Sequence, residues 1–195
     1  MPLSETQALI LLQTKPLIFA KTIALTPYSA GNNAGVCTYY MIDSGTAQRP
    51  GSIVGTYKMH GTQRFTMRPN NLFGGTAFQA HHIPVQQSNI NVNAINWSLL
   101  ALTGTSFMVT TQLTGCSVAI DPAGNSFRVA HLQPNGETGA QLKLRLANAG
   151  FVVYGQPDYN PGRGVVFGVR TSGVWAFYGQ KQDANHNILK AKKIT

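Results

Sequence analysis

The sequence predicts an α+β protein: two packed β-sheets, antiparallel or mixed, forming a sandwich-like core with a few flanking helices. Three observations carry that expectation. Short runs rich in Val, Ile, Thr, Tyr and Phe recur along most of the chain, separated by Gly-, Asn- and Ser-rich breaks. Few stretches have a helical signature. The length, 195 residues, suits one domain, residues 1–195, large enough to close a single core.

Taken in order, Ser4 before Glu5 and a leucine-rich run to Leu12 reads as a short capped helix that ends before Pro16. From "LIFAKTIAL" onward the texture is that of strands. "VCTYYMI", "SIVGTYKM" and "QRFTMRP" read as antiparallel hairpins separated by "SAGNNAG", "DSGTAQRPG" and "HGT". Residues 70–104 lack periodicity and predict a long irregular connection with a short helix near its end. "TSFMVTTQLTG", "CSVAID" and "SFRVAHL" read as strands, with a turn at "PAGN". "GETGAQLKLRLANAG" is the clearest helix, closed by Gly150. "FVVYGQ", "VVFGVRTSG" and "VWAFYGQKQ" return to strands around a "PDYNPGRG" loop, and a polar basic tail follows Asp183.

Fifteen Lys and Arg against six Asp and Glu give a formal charge of +9, which favours encounter with acidic partners. Apart from "KAKK" at 190–193 the basic residues are dispersed, unlike the concentrated face of a nucleic-acid reader, so nucleic acid is not expected as a substrate. The N-terminal apolar run carries Glu5, is broken by Pro16 and lacks a basic start, so neither a Sec signal nor a membrane span is expected. With two cysteines, Cys37 and Cys116, both are read as thiols, Cys37 in the core. No metal or cofactor is expected: His81 and His82 are adjacent and would point to opposite faces of a strand, no CxxC accompanies them, and "GRGVVFG" lacks the Lys and Ser/Thr of a phosphate loop. Asp121 and Asp158 are the one candidate carboxylate pair, although Asp121 before Pro122 reads as a turn residue. Trp97 and Trp175 read as core or pocket-wall residues.

The candidate chemistry lies in "TTQLTGCSVAID" and "RVAHLQP". Cys116 behind Gly115 stands at a corner between two strand-like runs, and His131 follows fifteen residues later. A thiol and an imidazole are the minimum for nucleophilic thiol chemistry, and glycine lets a substrate carbonyl approach the backbone. Thr110, Thr111 and Thr114 could orient the imidazole or line an oxyanion pocket. A histidine-paired thiol would have a depressed pKa and be alkylated faster than Cys37. The alternative is a small buried hydrophobe and a strand histidine that satisfies a backbone carbonyl.

Leu113, Thr114, Gly115 and Cys116, with His131 downstream, resemble the cysteine glutamine deamidases grouped around the catalytic domain of the cytotoxic necrotizing factors and the Burkholderia lethal factor. In that group a Leu-Ser-Gly-Cys stretch carries the nucleophile and a histidine follows on a neighbouring strand. Here Thr114 replaces the serine. The lethal factor and the chemoreceptor deamidases also carry a threonine six positions before the cysteine, matched by Thr110, and "AHLQP" is similar to the chemoreceptor group. The resemblance covers about residues 105–135. It implies a Cys116–His131–Thr110 triad that converts glutamine to glutamate on a target protein, with motif backbone around the oxyanion and no cofactor. It further implies a monomeric bacterial toxin or effector, secreted without a Sec signal, acting in the host cytosol on a partner such as a translation factor or small GTPase. A bacterial cytoplasmic chemoreceptor-type deamidase, a cysteine protease or amidase, and a non-enzymatic basic β-rich binding module remain open.

Overall fold

The computed structural model describes residues 2–32, 34–46, 62–89, 91–123 and 126–195. Helix α1 (Glu5–Thr14) starts where the sequence places it: Ser4 Oγ accepts from the Gln7 N–H while the Gln7 side chain accepts from the Ser4 N–H. "LIFAK" is then helical rather than extended. Pro16 sits in the first turn of α2 (Pro16–Thr22), where its missing N–H costs nothing. The strands that follow are β1 (Ile23–Pro27), β2 (Gly35–Thr46) and β3 (Gln63–Arg68); "SIVGTYKM" lies outside the described residues.

Residues 70–104 depart most from expectation. They hold β4 (Thr76–Ile83), β5 (Val85–Gln87), a single 3₁₀ turn at Val92–Ala94 and β6 (Ser98–Leu100). Then come β7 (Phe107–Thr110), β8 (Ser117–Ala123), β9 (Ser126–Gln133), α3 (Gly139–Asn148), β10 (Val152–Tyr154), α4 (Gln156–Tyr159), β11 (Arg163–Thr171), β12 (Val174–Gln182) and β13 (Ile188–Lys193). The "PDYNPGRG" loop therefore contains a helical turn and the start of a strand, and the basic tail is an edge strand. Gly150 closes α3 with φ +91°, as glycine at that position should.

The strands form two mixed sheets, confirming the α+β class with flanking helices. The larger runs β1-β3-β2-β4-β7-β11-β12-β13, with β1–β3 and β4–β7 parallel. The smaller runs β10-β8-β9-β5, with β6 also on β9. Three apolar layers separate four structural ones. Helices α1 and α2 cover one face of the large sheet through Leu12, Phe19, Tyr39, Phe65 and Phe167. Met108, Val118, Ile120, Val129, Val166 and Phe177 fill the space between the sheets. Leu142 and Leu146 of α3 cover Ala119, Ala130 and Leu132 on the far face of the small sheet.

The large sheet also curls until its edge strand β1 meets β12. Gln180 and Gln182, both fully buried, donate to the carbonyls of Ala20, Ile23 and Leu25, and Gln180 Oε1 accepts from the Leu25 N–H. Side-chain amides thus take the ladder positions that a neighbouring strand would fill.

Candidate functional site

The site forms where the chain twice leaves the large sheet for the small one. Strand β4 ends in the large sheet at Ile83 and, after Pro84 alone, β5 begins in the small sheet at Val85. Strand β7 ends in the large sheet at Thr110, and after six intervening residues β8 starts in the small one at Ser117. Leu113 anchors that second crossing through a two-hydrogen-bond bridge to Gly164, 2.8 and 2.9 Å.

Alternation along the strands decides what faces what. On β9, Ala130 and Leu132 pack toward α3, so Val129 and His131 point into the space between the sheets. On β8, Val118 also points inward and lies directly opposite His131. Cys116, two residues before Val118, shares that face and packs against the inter-sheet cluster. Cys116 and His131 are therefore diagonal neighbours on one face, a relation that spans about 7–8 Å between Cα atoms. On β7, Met108 is inward and Val109 faces the helices, so Thr110 is inward and reaches His131 from the opposite sheet.

Thr110 and His131 are both fully buried, and Thr110 Oγ1 lies 2.6 Å from His131 Nδ1. The same hydroxyl donates to the Ile83 carbonyl at 2.8 Å. A carbonyl can only accept, so the single hydroxyl proton is committed there and Oγ1 must accept from Nδ1–H. His131 thus carries its proton on Nδ1 and presents a bare lone pair at Nε2. That nitrogen is buried and makes no hydrogen bond among the described residues, the Cys116 sulfur included. Burial, with a smaller contribution from nearby His82, holds the His131 pKa down to about 4, so the ring is neutral near pH 7.

Cys116 is half-buried and unpaired. Burial pushes its thiol above the ordinary range, and the Thr114 N–H offsets this only in part. This direction is opposite to the expected depressed thiol: burial dominates, and the neighbouring imidazole is neutral. The corner itself is rigidly held. Gly115 has φ +143°, which a side chain would strain. The Tyr159 hydroxyl accepts from the Gly115 N–H and donates to the Cys116 carbonyl, both at 2.8 Å. Burial foremost keeps Tyr159 protonated and able to donate. A Cβ on Gly139, at the start of α3, would come within 2.3 Å of the Gly115 carbonyl, so glycine is required for α3 to back the corner.

Of the sequence-predicted residues, the structure brings Thr110, Cys116 and His131 to one inter-sheet layer. Leu113 is fully buried, Thr111 half-buried and Thr114 exposed. The N–H groups of Leu113, Thr114 and Gly115 are engaged by Gly164, the Cys116 sulfur and Tyr159. Cys37 lies at the margin of the helix-side core, only half-buried. Asp121 is a β8 residue paired with Arg128, not a turn residue, and Asp158 of α4 pairs with Lys143 and Lys192. The two carboxylates do not form a pair. Of the adjacent histidines on β4, His81 packs edge-on to Trp175 and His82 is fully buried. Trp175 is core, while Trp97 meets Phe151 edge-to-face under the Arg128 guanidinium. Among the described residues no cluster of three or more His, Cys, Asp or Glu could hold a metal, and no helix is long and apolar enough to cross a membrane.

Sequence reasoning missed Tyr159 and Ile83. Pro84 after a run of β-formers marks a strand end and so points to Ile83; nothing in "PDYNPGRG" marks Tyr159 as the clamp on a cysteine 43 residues away. Neither a scan against protein-family models nor a search of curated protein sequences finds a match to this chain.

Proposed function

We propose that this chain is a protein-glutamine deamidase in which Cys116 is the nucleophile, His131 the general base and Thr110 the group that fixes the imidazole. The observation that carries the reading is the Ile83–Thr110–His131 relay. Most buried polar atoms find a hydrogen-bond partner, whereas this ring is fixed through Nδ1 with a bare Nε2 on the face it shares with Cys116.

The chemistry follows from the protonation states. Both groups rest neutral, so the reaction starts from a thiol and not from a thiolate–imidazolium pair. His131 Nε2 takes the thiol proton as sulfur attacks the carboxamide carbon of a glutamine. The tetrahedral intermediate expels ammonia with the proton returned by His131, leaving a thioester. Water, activated by the same nitrogen, resolves it to glutamate and the free thiol. With its neighbours engaged, the Cys116 N–H is the motif donor left for the oxyanion, a contribution of about 3 kcal/mol in comparable sites. The target is an accessible glutamine on another protein, in keeping with a secreted effector that acts on a host translation factor or small GTPase. No cofactor is needed.

One observation favours a second reading: the raised thiol and apolar contacts of Cys116 also suit a structural cysteine in a basic binding module. The deciding experiment incubates wild type, Cys116→Ser and His131→Ala with host-cell extract and scores glutamine-to-glutamate conversion by peptide mass spectrometry. Conversion by wild type alone is expected. Chain cleavage instead would identify a protease, and equal effects of wild type and Cys116→Ser would leave the binding module as the account.

A further inference from the structure

The outer face of the large sheet at β1, β3 and β2 carries a cavity of about 280 Å³ that the proposed catalysis does not use. Strand β3 sends Phe65 and Met67 into the helix-side core, so Arg64, Thr66 and Arg68 all face the cavity. The parallel register sets Thr26 beside Thr66, and Ser44 lies 3.0 Å from Thr66 Oγ1, which gives a floor of hydroxyl groups. A guanidinium stands at each end of that floor.

Among the described residues no carboxylate pairs with either guanidinium. The four ion pairs among the described residues involve other cations, and no carboxylate lines the cavity. Arg64 donates one N–H to the Ser44 carbonyl at 3.2 Å, but its Nε is buried without a partner. Arg68 is stacked between the rings of Tyr28 and Phe73, with Cζ 4.3 and 4.7 Å from their centroids. That stacking uses its faces and leaves its N–H edges for a ligand. His186 closes one side, its Nδ1 near the Thr26 hydroxyl and the Gln182 amide oxygen.

We infer that this cavity is a binding site for a phosphate monoester, gripped by Arg64 and Arg68 from opposite ends and seated on the hydroxyls of Thr26 and Thr66. Two guanidinium groups lining one cavity suit a tetrahedral dianion, whose three terminal oxygens can be shared between them; a planar carboxylate is satisfied by one. The volume is at the lower limit of ligand pockets, which favours a small soluble phosphomonoester.

The test is titration of the isotopically labelled full-length chain with inorganic phosphate and with glycerol phosphate, followed by NMR at constant ionic strength. Saturable shifts are expected at residues 26, 64, 66 and 68 and at the Arg64 Nε–H. Arg64→Gln should weaken binding tenfold or more. Thr66→Val, close in shape to the native residue, should weaken it severalfold with the spectrum otherwise retained. Shifts that do not saturate, an equal response to acetate or chloride, or unchanged affinity in both variants would overturn the proposal. So would binding only to phosphatidic acid vesicles. Cys116→Ser should bind phosphate as wild type does, so this result stands apart from that of the deamidase assay.

Discussion

Replacing Thr110 by valine changes shape little and removes one hydroxyl, yet that hydroxyl serves two buried groups. The sequence alone suggests the loss of one neutral hydrogen bond, about 1 kcal/mol. In the structure the same change strands both the Ile83 carbonyl and the His131 Nδ1–H in an apolar layer. Each orphaned buried group costs about 1–3 kcal/mol, partly offset by burying a methyl for about 0.8 kcal/mol. The expected destabilisation is therefore about 1–5 kcal/mol, read as a lower urea midpoint at unchanged slope. The same variant frees the imidazole to exchange tautomers. Nitrogen-15 NMR of His131 should show the Nδ1–H form in wild type and a mixture in Thr110→Val. If about 2 kcal/mol of positioning is lost in the transition state, turnover falls about 30-fold. Thr110→Ser should retain the tautomer and most of the activity. A Thr110→Val protein as stable as wild type, or a wild-type ring protonated on Nε2, would refute the relay.

Three other outcomes are expected. With a folded-state pKa of about 4 against an ordinary 6.5, His131 leaves the unfolded chain holding more protons between those values. Stability should therefore fall as pH drops from 6.5 to 4, by on the order of 3 kcal/mol, and be insensitive to this group above 7. His81 and His186, also shifted down, act in the same direction, so the decisive quantity is the wild-type slope minus that of His131→Asn in chemical denaturation. Iodoacetamide labelling of Cys116 should keep accelerating through pH 9, and a plateau near pH 7 would mean a thiolate that this site does not support. Tyr159→Phe removes the clamp on both sides of the Gly115–Cys116 peptide; it should cost about 1–3 kcal/mol and lower kcat more than it raises KM, whereas equal effects on both would mark a purely structural tyrosine.

Local rules made α1 and α3 legible, because each carries its own signal: Ser4 with Gln7, and Thr138 with Gln141, form capping boxes that need no tertiary partner. Runs of β-formers bounded by turn residues likewise marked β2, β3 and β7 to β9. The segment around residues 76–100 was opaque for a physical reason. Strands β5 and β6 have three residues each, too few for a period to show, and β4 puts Thr76 and His82 on one face and Gln79 and His81 on the other, which hides any alternation. Strand β13 looked like a tail because an edge strand may be basic on its exposed side, which also discourages pairing with another chain.

The site was legible as a set of residues and not as an electrostatic state. Parity along two strands and a corner glycine suffice to put Cys116 and His131 on one face, and a threonine on the preceding strand can reach the ring. The direction in which the thiol titrates depends on what surrounds it, and that is a property of the layer between the sheets. Strands β4 and β7 of the large sheet close over β9 of the small one and leave the imidazole no exposed surface. A ring so buried cannot hold a proton at pH 7, and an uncharged ring cannot pull the thiol down. The same burial that obscures a resting thiolate leaves the neutral Nε2 available as a base well below pH 6. The acid limb of kcat/KM should accordingly lie below about pH 5, where an exposed histidine would already have lost its function at 6.5. An acid limb near 6.5 would place the base on a ring more exposed than His131.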